Sequence, residues 1–271
     1  MVDRVAILAG NGTLPVILHN ALPDSVCVVF RGASHHFKVD HSFIEARFER
    51  LGELFETLKS KGITKIVLAG SMHRPDLDPY EFDDFMRGIS TQLAEMLCQG
   101  DDALLRFVLK LFDQHGFSLV GAAQVVPDLV AESGMLTGSH VVQNEKDVYK
   151  ADQLLALMSS ADIGQAVVVE NGLVLGIETL QGTDRLLQFV SETDLSLRDS
   201  SKKGVLVKRP KKQQDLRVDM PAIGPNTIDA VSKAGLAGIV ISPLTVLLLE
   251  REKTLSLAAK KDIFIMARDP I

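Results

Sequence analysis

RVAILAGNGTLPVILHNA, Arg4 to Ala21, is the stretch on which the fold turns. The apolar run Arg4 to Ala9 reads as a buried strand, Gly10-Asn11-Gly12-Thr13 as a turn, and Leu14 to Ala21 as a helix. A strand that feeds a helix through a glycine turn is the opening unit of a parallel sheet. The same alternation continues along the first half. Further strands are expected at Ser25 to Phe30, Ala46 to Glu49, Lys65 to Ala69 and Ser118 to Val120. Helices are expected near Gly52 to Ser60, Asp84 to Leu97 and Asp101 to Gln114, the last carrying an apolar stripe of Leu104, Leu105, Val108, Leu111 and Phe112.

The opening stretch has an internal echo. Ile7-Leu8-Ala9-Gly10 is followed by Asn11, and Val67-Leu68-Ala69-Gly70 by Ser71. Two strands that end alike place two alike turns on one edge of a parallel sheet, the edge where ligands bind in open α/β folds. Leu119-Val120-Gly121 offers a third such end.

Pro127, Ser133-Gly134 and Thr137-Gly138-Ser139 mark a change of composition that reads as a crossing between domains. The boundary is set at 1–132 for a Rossmann-like parallel β/α domain and 133–271 for a mixed α/β domain. In the second, Asn144 is expected to cap a helix carrying Val148, Ala151, Leu154, Leu155 and Met158. Ala166 to Glu170 and Leu173 to Glu178 form a hairpin about Asn171-Gly172. Strands follow at Gly204 to Lys208, Gly238 to Ile241, Thr245 to Leu249 and Ile263 to Ala267, with helices near Asp184 to Ser191, Asn226 to Ala234 and Glu252 to Lys260.

Composition narrows the function. A formal net charge of -6 over 271 residues argues against general nucleic-acid binding, and an aromatic content of 5% without Trp argues against base stacking. Cys27 and Cys98 are far apart and outside any C-x-x-C pair, which suits a reducing cytoplasm. The N-terminal apolar run is too short for a signal peptide or for the roughly 20 residues of a membrane span. His35-His36 and His41 lack zinc-ligand spacing, His73-Arg74 could reach an anion, and no G-x-S-x-G elbow appears.

Three constellations could carry chemistry. The turn Gly10 to Pro15 opens a helix and offers backbone N–H groups to an anion, or is simply a tight turn. Pro15 stands where a dinucleotide fingerprint has its third glycine, and no strand-end acid follows about twenty residues on, which sets NAD aside. The second is Gly176-Ile177-Glu178-Thr179-Leu180-Gln181-Gly182-Thr183-Asp184, where Glu178 and Asp184 bring two carboxylates together and Thr183 or Asp184 could equally be a helix cap. The third is 202–228. Lys202, Lys203, Lys208, Arg209, Lys211, Lys212 and Arg217 surround Asp215 and Asp219, and Lys202, Lys203, Lys211 and Lys212 could be mere solvated surface. Arg217-Val218-Asp219-Met220 alternates as a half-buried strand would, which puts Arg217 and Asp219 on one face. Asn226 or Thr227 is expected to cap the helix that follows. Cations beside a carboxylate suit an ion pair, and equally suit phosphoryl chemistry.

Taken together, Gly10-Asn11-Gly12-Thr13-Leu14-Pro15, Leu68-Ala69-Gly70, Gly176-Ile177-Glu178, Gln181-Gly182-Thr183-Asp184 and the Lys208 to Gly224 segment, with Gln214-Asp215, Arg217-Val218-Asp219 and Pro221, give a whole-chain resemblance. The sequence resembles the LpxI-type UDP-2,3-diacylglucosamine pyrophosphatases of lipid A biosynthesis. The resemblance implies hydrolysis of UDP-2,3-diacylglucosamine to 2,3-diacylglucosamine 1-phosphate (lipid X) and UMP, in the cytoplasm and peripherally at the inner membrane. It implies two domains with the lipid between them, Mg²⁺ as cofactor, and Asp219 as the essential aspartate, which is expected to be a metal ligand or to orient water. Asp215 and Arg217 are expected to assist catalysis. Gly10, Asn11, Gly12, Thr13, Leu14, Gly70, Ser71, Glu178, Gln181, Gly182, Thr183, Asp184 and Lys208 are expected to bind substrate. Expected partners are the lipid-linked sugar nucleotide and, transiently, the inner face of the membrane; no nucleic acid is expected, and a homodimer is left open. The acyl chains require an apolar groove, for which Phe37, Phe43, Phe82, Phe85 and Met86 are candidate linings, core packing being their other role. A non-catalytic protein that binds sugar nucleotides or anionic lipids is the competing reading.

Overall fold

The computed structural model describes residues 4–32, 43–72, 75–99, 101–139, 144–198, 203–212 and 214–271. His35, His36, Phe37, His41, His73, Arg74 and Lys202 lie outside them. The chain divides into two compact units, Met1–Val126 and Pro127–Ile271.

The first unit is built from β1 (Arg4–Ala9), α1 (Leu14–Ala21), β2 (Val26–Phe30), β3 (Phe43–Ala46), α2 (Leu51–Ser60), β4 (Ile63–Ala69), α3 (Asp84–Gly88), α4 (Ser90–Gln99), α5 (Asp101–Gln114), β5 (Ser118–Leu119) and α6 (Ala122–Val125). Its sheet runs β3-β2-β1-β4-β5 with every pair parallel. That is the Rossmann-like parallel β/α arrangement expected, and its strand order reverses between β1 and β4. At that switch point the two strand ends leave a crevice.

Two expectations need correcting here. β3 ends at Ala46 rather than beginning there, and Phe48 to Arg50 form a 3₁₀ turn into α2. The single helix expected over Asp84 to Leu97 is two helices. Asp83 caps the first through its carboxylate on the Met86 N–H at 2.8 Å, and Gly88 ends it. Ser90 opens the second, with its hydroxyl on the Arg87 carbonyl at 2.9 Å.

The second unit contains β6 (Gly134–Thr137), α7 (Glu145–Ser160), β7 (Ala166–Glu170), β8 (Leu173–Ile177), α8 (Gly182–Ser191), β9 (Val205–Lys208), β10 (Ala222–Ile223), α9 (Pro225–Lys233), β11 (Gly238–Ile241), β12 (Leu247–Leu248), α10 (Arg251–Lys260) and β13 (Phe264–Ala267). The larger sheet runs β6-β13-β11-β9-β7-β8, parallel through β13, β11 and β9 and antiparallel towards both edges. β10 and β12 form a separate parallel pair. β6 occupies the stretch read as a domain crossing: Gly134-Met135-Leu136-Thr137 is too short and glycine-led to show a strand pattern, and pairing with β13 makes it one.

The hairpin behaves as expected. Asn171 and Gly172 take φ 49 and 77, and the buried Asp147 of α7 accepts both of their N–H groups at 3.0 and 2.6 Å.

The central strands are buried on both faces, as parallel strands with two helical covers must be. Ala166, Val168 and Leu206 pack with α8 and α9, while Val167, Val169, Val205 and Val207 pack with Val148, Ala151 and Leu155 of α7. This two-residue alternation governs how the site is built.

Candidate functional site

At the switch point of the first unit the two echoing turns grip each other. Gly10 N–H donates to the Ala69 carbonyl at 2.7 Å, and Asn11 and Ser71 exchange backbone hydrogen bonds of 2.7 and 3.0 Å. Here glycine is a steric necessity. A methyl group on Gly10 would overlap the Ser71 carbonyl, and one on Gly70, at φ +86, would overlap the Asn11 carbonyl. The structure therefore brings Gly10, Asn11, Gly12, Thr13, Leu14, Gly70 and Ser71 together. It also takes donors away from the proposed anion nest. Asn11 N–H goes to Ser71, and Gly12 N–H goes to the Asn11 side chain at 2.9 Å. Thr13 and Leu14, at the opening of α1, are the donors that remain to the turn.

Beside this edge the first unit holds an apolar cavity of about 240 Å³. Leu8, Phe30 and Leu68 form its strand side, Leu104, Leu105 and Val108 of α5 its helical side, and Met72, one residue beyond Ser71, reaches it. Of the proposed groove residues Met86 lines it, Phe82 is core, Phe85 packs edge-on to Phe55, and Phe43 is exposed.

In the second unit the alternation along β9 splits the basic run. Lys208 follows Leu206 to the face of α8, and Arg209 follows Val207 to the face of α7. Arg209 is thereby a core residue rather than solvated charge. Its Nε meets Asp152 Oδ1 at 2.9 Å, its Nη1 reaches the hydroxyl of Ser242, and it also donates to the Arg268 carbonyl. Lys211 pairs with Asp162 at 2.7 Å.

Lys208 is the centre of the charged cluster. It is 6% exposed, and its Nζ donates to Thr183 Oγ1 at 2.8 Å and to the Ala222 carbonyl at 2.9 Å. The Thr183 hydroxyl in turn donates a hydrogen bond to Glu178 Oε2 at 2.5 Å. Thr183 thus does not cap α8: the helix begins at Gly182, with Gln181 at the cap position, so the hydroxyl is turned to the lysine instead. Burial pulls the Lys208 ammonium below the ordinary lysine range, and the charges of Glu178, Asp184 and Asp219 oppose that pull. The charges that act on this one ammonium thus come from two separate constellations of the sequence. Gln181, exposed, accepts from the Thr179 hydroxyl.

The segment expected to be a strand is a turn. Residues 216–218 turn, with Val218 N–H and Asp219 N–H both donating to the Asp215 carbonyl at 3.0 Å. The physical reason is Asp215. Its Oδ1 accepts from the Arg217 backbone N–H at 3.0 Å, the local side-chain bond that favours turns over strands. Arg217 and Asp219 are consequently not held on one strand face. Arg217 closes on Asp215 through Nη2 at 2.7 Å, and that hydrogen bond holds the Asp215 carboxyl below its usual range.

Asp219 is exposed, and its Oδ2 accepts from Gln214 Nε2 at 2.6 Å. Gln214 is a residue to which sequence reasoning gave no role; its place five residues before the aspartate is visible only once the turn is known. The following helix also differs. Gly224 is its cap, Pro225 its first residue, and Thr227 accepts the Gly224 N–H at 3.2 Å, so neither Asn226 nor Thr227 stands at the cap position.

The chain matches the LpxI N-terminal domain family over residues 4–129 and the LpxI C-terminal domain family over residues 132–266. A similar protein is the UDP-2,3-diacylglucosamine pyrophosphatase LpxI of Caulobacter vibrioides, 33% identical over 282 aligned positions that span 98% of each chain.

Proposed function

The chain belongs to the LpxI family, and on that premise we propose that it hydrolyses the pyrophosphate bond of UDP-2,3-diacylglucosamine, giving 2,3-diacylglucosamine 1-phosphate and UMP for lipid A biosynthesis. The observation that carries the site assignment is the buried ammonium of Lys208 hydrogen-bonded to Thr183, whose hydroxyl in turn donates to Glu178.

Pyrophosphate cleavage requires positive charge on the non-bridging oxygens and a group that orients the attacking water. Lys208 supplies a desolvated cation whose position is fixed by two hydrogen bonds, so no reorganisation accompanies the reaction. Asp219, exposed and held at Oδ2, presents Oδ1 to the reacting phosphates. Arg217 and Asp215 assist from the same turn, and the Gly10 to Leu14 and Gly70-Ser71 turns take the nucleotide or phosphate.

Mg²⁺ fits this arrangement. Among the described residues no group of three or more His, Cys, Asp or Glu is placed to hold a metal ion. Mg²⁺ does not need one, because it commonly binds through one or two carboxylates together with substrate phosphates and water. Asp219 is the residue that would hold it. When bound, the ion would neutralise charge developing on the phosphate oxygens.

The apolar cavity of the first unit is the place we assign to an acyl chain, each buried methylene being worth about 0.8 kcal/mol. Among the described residues no helix is long and apolar enough to cross a membrane. A substrate whose chains reside in a bilayer then calls for transient contact with the inner face of the membrane from the cytoplasm.

The test is UMP release from UDP-2,3-diacylglucosamine by wild type and Asp219→Ala. We expect turnover by the first and a loss of a hundredfold or more in the second. Binding of the substrate without turnover by the wild type would replace the enzyme with a binding protein.

A further inference from the structure

We propose that Gln214 is the positioning residue of Asp219, a role that rests on the reading of Asp219 as the reacting carboxylate. Three bonds orient it. Gln214 Oε1 accepts the Lys211 backbone N–H at 3.0 Å, and the Gln214 backbone N–H returns to the Lys211 carbonyl at 3.2 Å, so Gln214 is tied twice to Lys211. With Oε1 on a donor, the amide nitrogen is the atom turned to Asp219, and it meets Oδ2 at 2.6 Å. The second turn, closed by the Val218 and Asp219 N–H groups on the Asp215 carbonyl, carries Asp219 back to within reach.

The chemistry of the partner matters. A neutral amide fixes one oxygen of an exposed side chain without bringing a countercharge, so the other oxygen is aimed at a cation or a water. A lysine or arginine in the same place would fix the geometry and neutralise the charge. The nearby Arg217 instead gives Nε and Nη2 to Asp215. Reactions that depend on positioning are sensitive to displacements of about 1 Å, with losses on the order of a hundredfold.

The two halves of the amide can be separated by substitution. Gln214→Glu keeps an oxygen to accept the Lys211 N–H, and so preserves the turn, but sets a carboxylate against Asp219 where a donor stood. Gln214→Met keeps the volume and removes both bonds. We expect both variants to unfold thermally within a few degrees of wild type. Both should lose ten- to a hundredfold in kcat, with KM and the calorimetric Kd for substrate within about threefold, and Gln214→Glu should be the worse of the two. If Gln214 merely braces the loop, Gln214→Glu will retain wild-type kcat while Gln214→Met falls, and the proposal is overturned. Asp219→Ala is assayed beside them. Normal turnover by Asp219→Ala removes the reading of Asp219 and the role of Gln214 with it. An inactive Asp219→Ala beside a fully active Gln214→Glu removes the role of Gln214 alone.

Discussion

The ammonium of Lys208 donates to the hydroxyl of Thr183 across 2.8 Å, and the same hydroxyl donates onward to Glu178. One threonine thereby joins the end of β9 to the turn after β8, and Lys208 extends the chain of bonds to Ala222. Removing the lysine leaves the buried Glu178 without the cation that reaches it through Thr183, and the Ala222 carbonyl without its donor. Lys208→Met is therefore expected to lower stability by about 3 kcal/mol. Adding Glu178→Gln should restore much of that loss, because an amide still accepts from Thr183 and carries no charge to desolvate. Urea unfolding of the single and double variants measures the coupling, and both should lose turnover by a hundredfold or more.

Two groups give opposite dependences on pH. The folded pKa of Asp215 lies below its unfolded value, chiefly through the hydrogen bond from Arg217, so its contribution is present above about pH 3.9 and is lost as pH falls through the folded value. The pair is well exposed, at 53% and 41% of the side chains, so solvent screening holds that contribution to a few tenths of a kcal/mol. Asp215→Asn should accordingly lower stability slightly at pH 7, and the difference should fade as pH falls through the folded value. Lys208 is lowered instead, chiefly by burial. The unfolded chain keeps that proton to higher pH, so stability from this group rises with pH between its folded and unfolded values. The stability difference between wild type and Lys208→Met, followed by urea unfolding from pH 7 to 10, checks the sign.

How far the sequence reveals this molecule depends on which interaction decides each element. β1, α1, α5, β7 and β11 have their expected bounds because burial on one or both faces dictates them, and burial is written in the apolar pattern. The echo of Ala-Gly ends likewise places both turns on one edge, since parallel strands must end there. The segment 217–220 departs from the expected strand for an instructive reason: exposed and half-buried residues do alternate along it, but the Asp215 side chain, bonded to the Arg217 N–H, bends the chain. Alternation of burial does not require a strand. The division of Lys208 from Arg209 follows from the parity of β9, yet the partners, Thr183 and Asp152, are 25 and 57 residues away and no local pattern names them. Gln214 was hidden for the same reason as the turn that presents it.

The contact between Gly10 and Gly70 predicts an unequal response among the glycines of the first turn. Gly70→Ala combines an unfavourable φ of +86 with overlap on the Asn11 carbonyl, and Gly10→Ala meets the Ser71 carbonyl. Each should cost about 2 kcal/mol or more, since the neighbour is backbone and cannot swing aside. Gly12→Ala, at φ +105 with nothing near its new methyl, should cost only about 1 kcal/mol. Chemical denaturation ranks the three. If the turns also hold the nucleotide, KM should rise for Gly10→Ala and Gly70→Ala in whatever fraction remains folded.

The cavity between α5 and the strand ends makes a prediction about chain length. Leu105 and Val108 line it from a helix and are half-buried, so larger side chains at these positions can enter the space without displacing the fully buried core strands. Leu105→Trp and Val108→Phe should then exclude part of an acyl chain. At about 0.8 kcal/mol for each methylene kept out, kcat/KM falls roughly fourfold per methylene. The loss should appear with the long-chain diacyl substrate and shrink towards unity with UDP-glucosamine carrying short acyl groups, since those never reached the blocked volume. Filling an apolar cavity should at the same time leave thermal stability unchanged or raise it. A loss that is equal for long and short chains would place the acyl group elsewhere, because a general disturbance of the fold cannot distinguish one chain length from another.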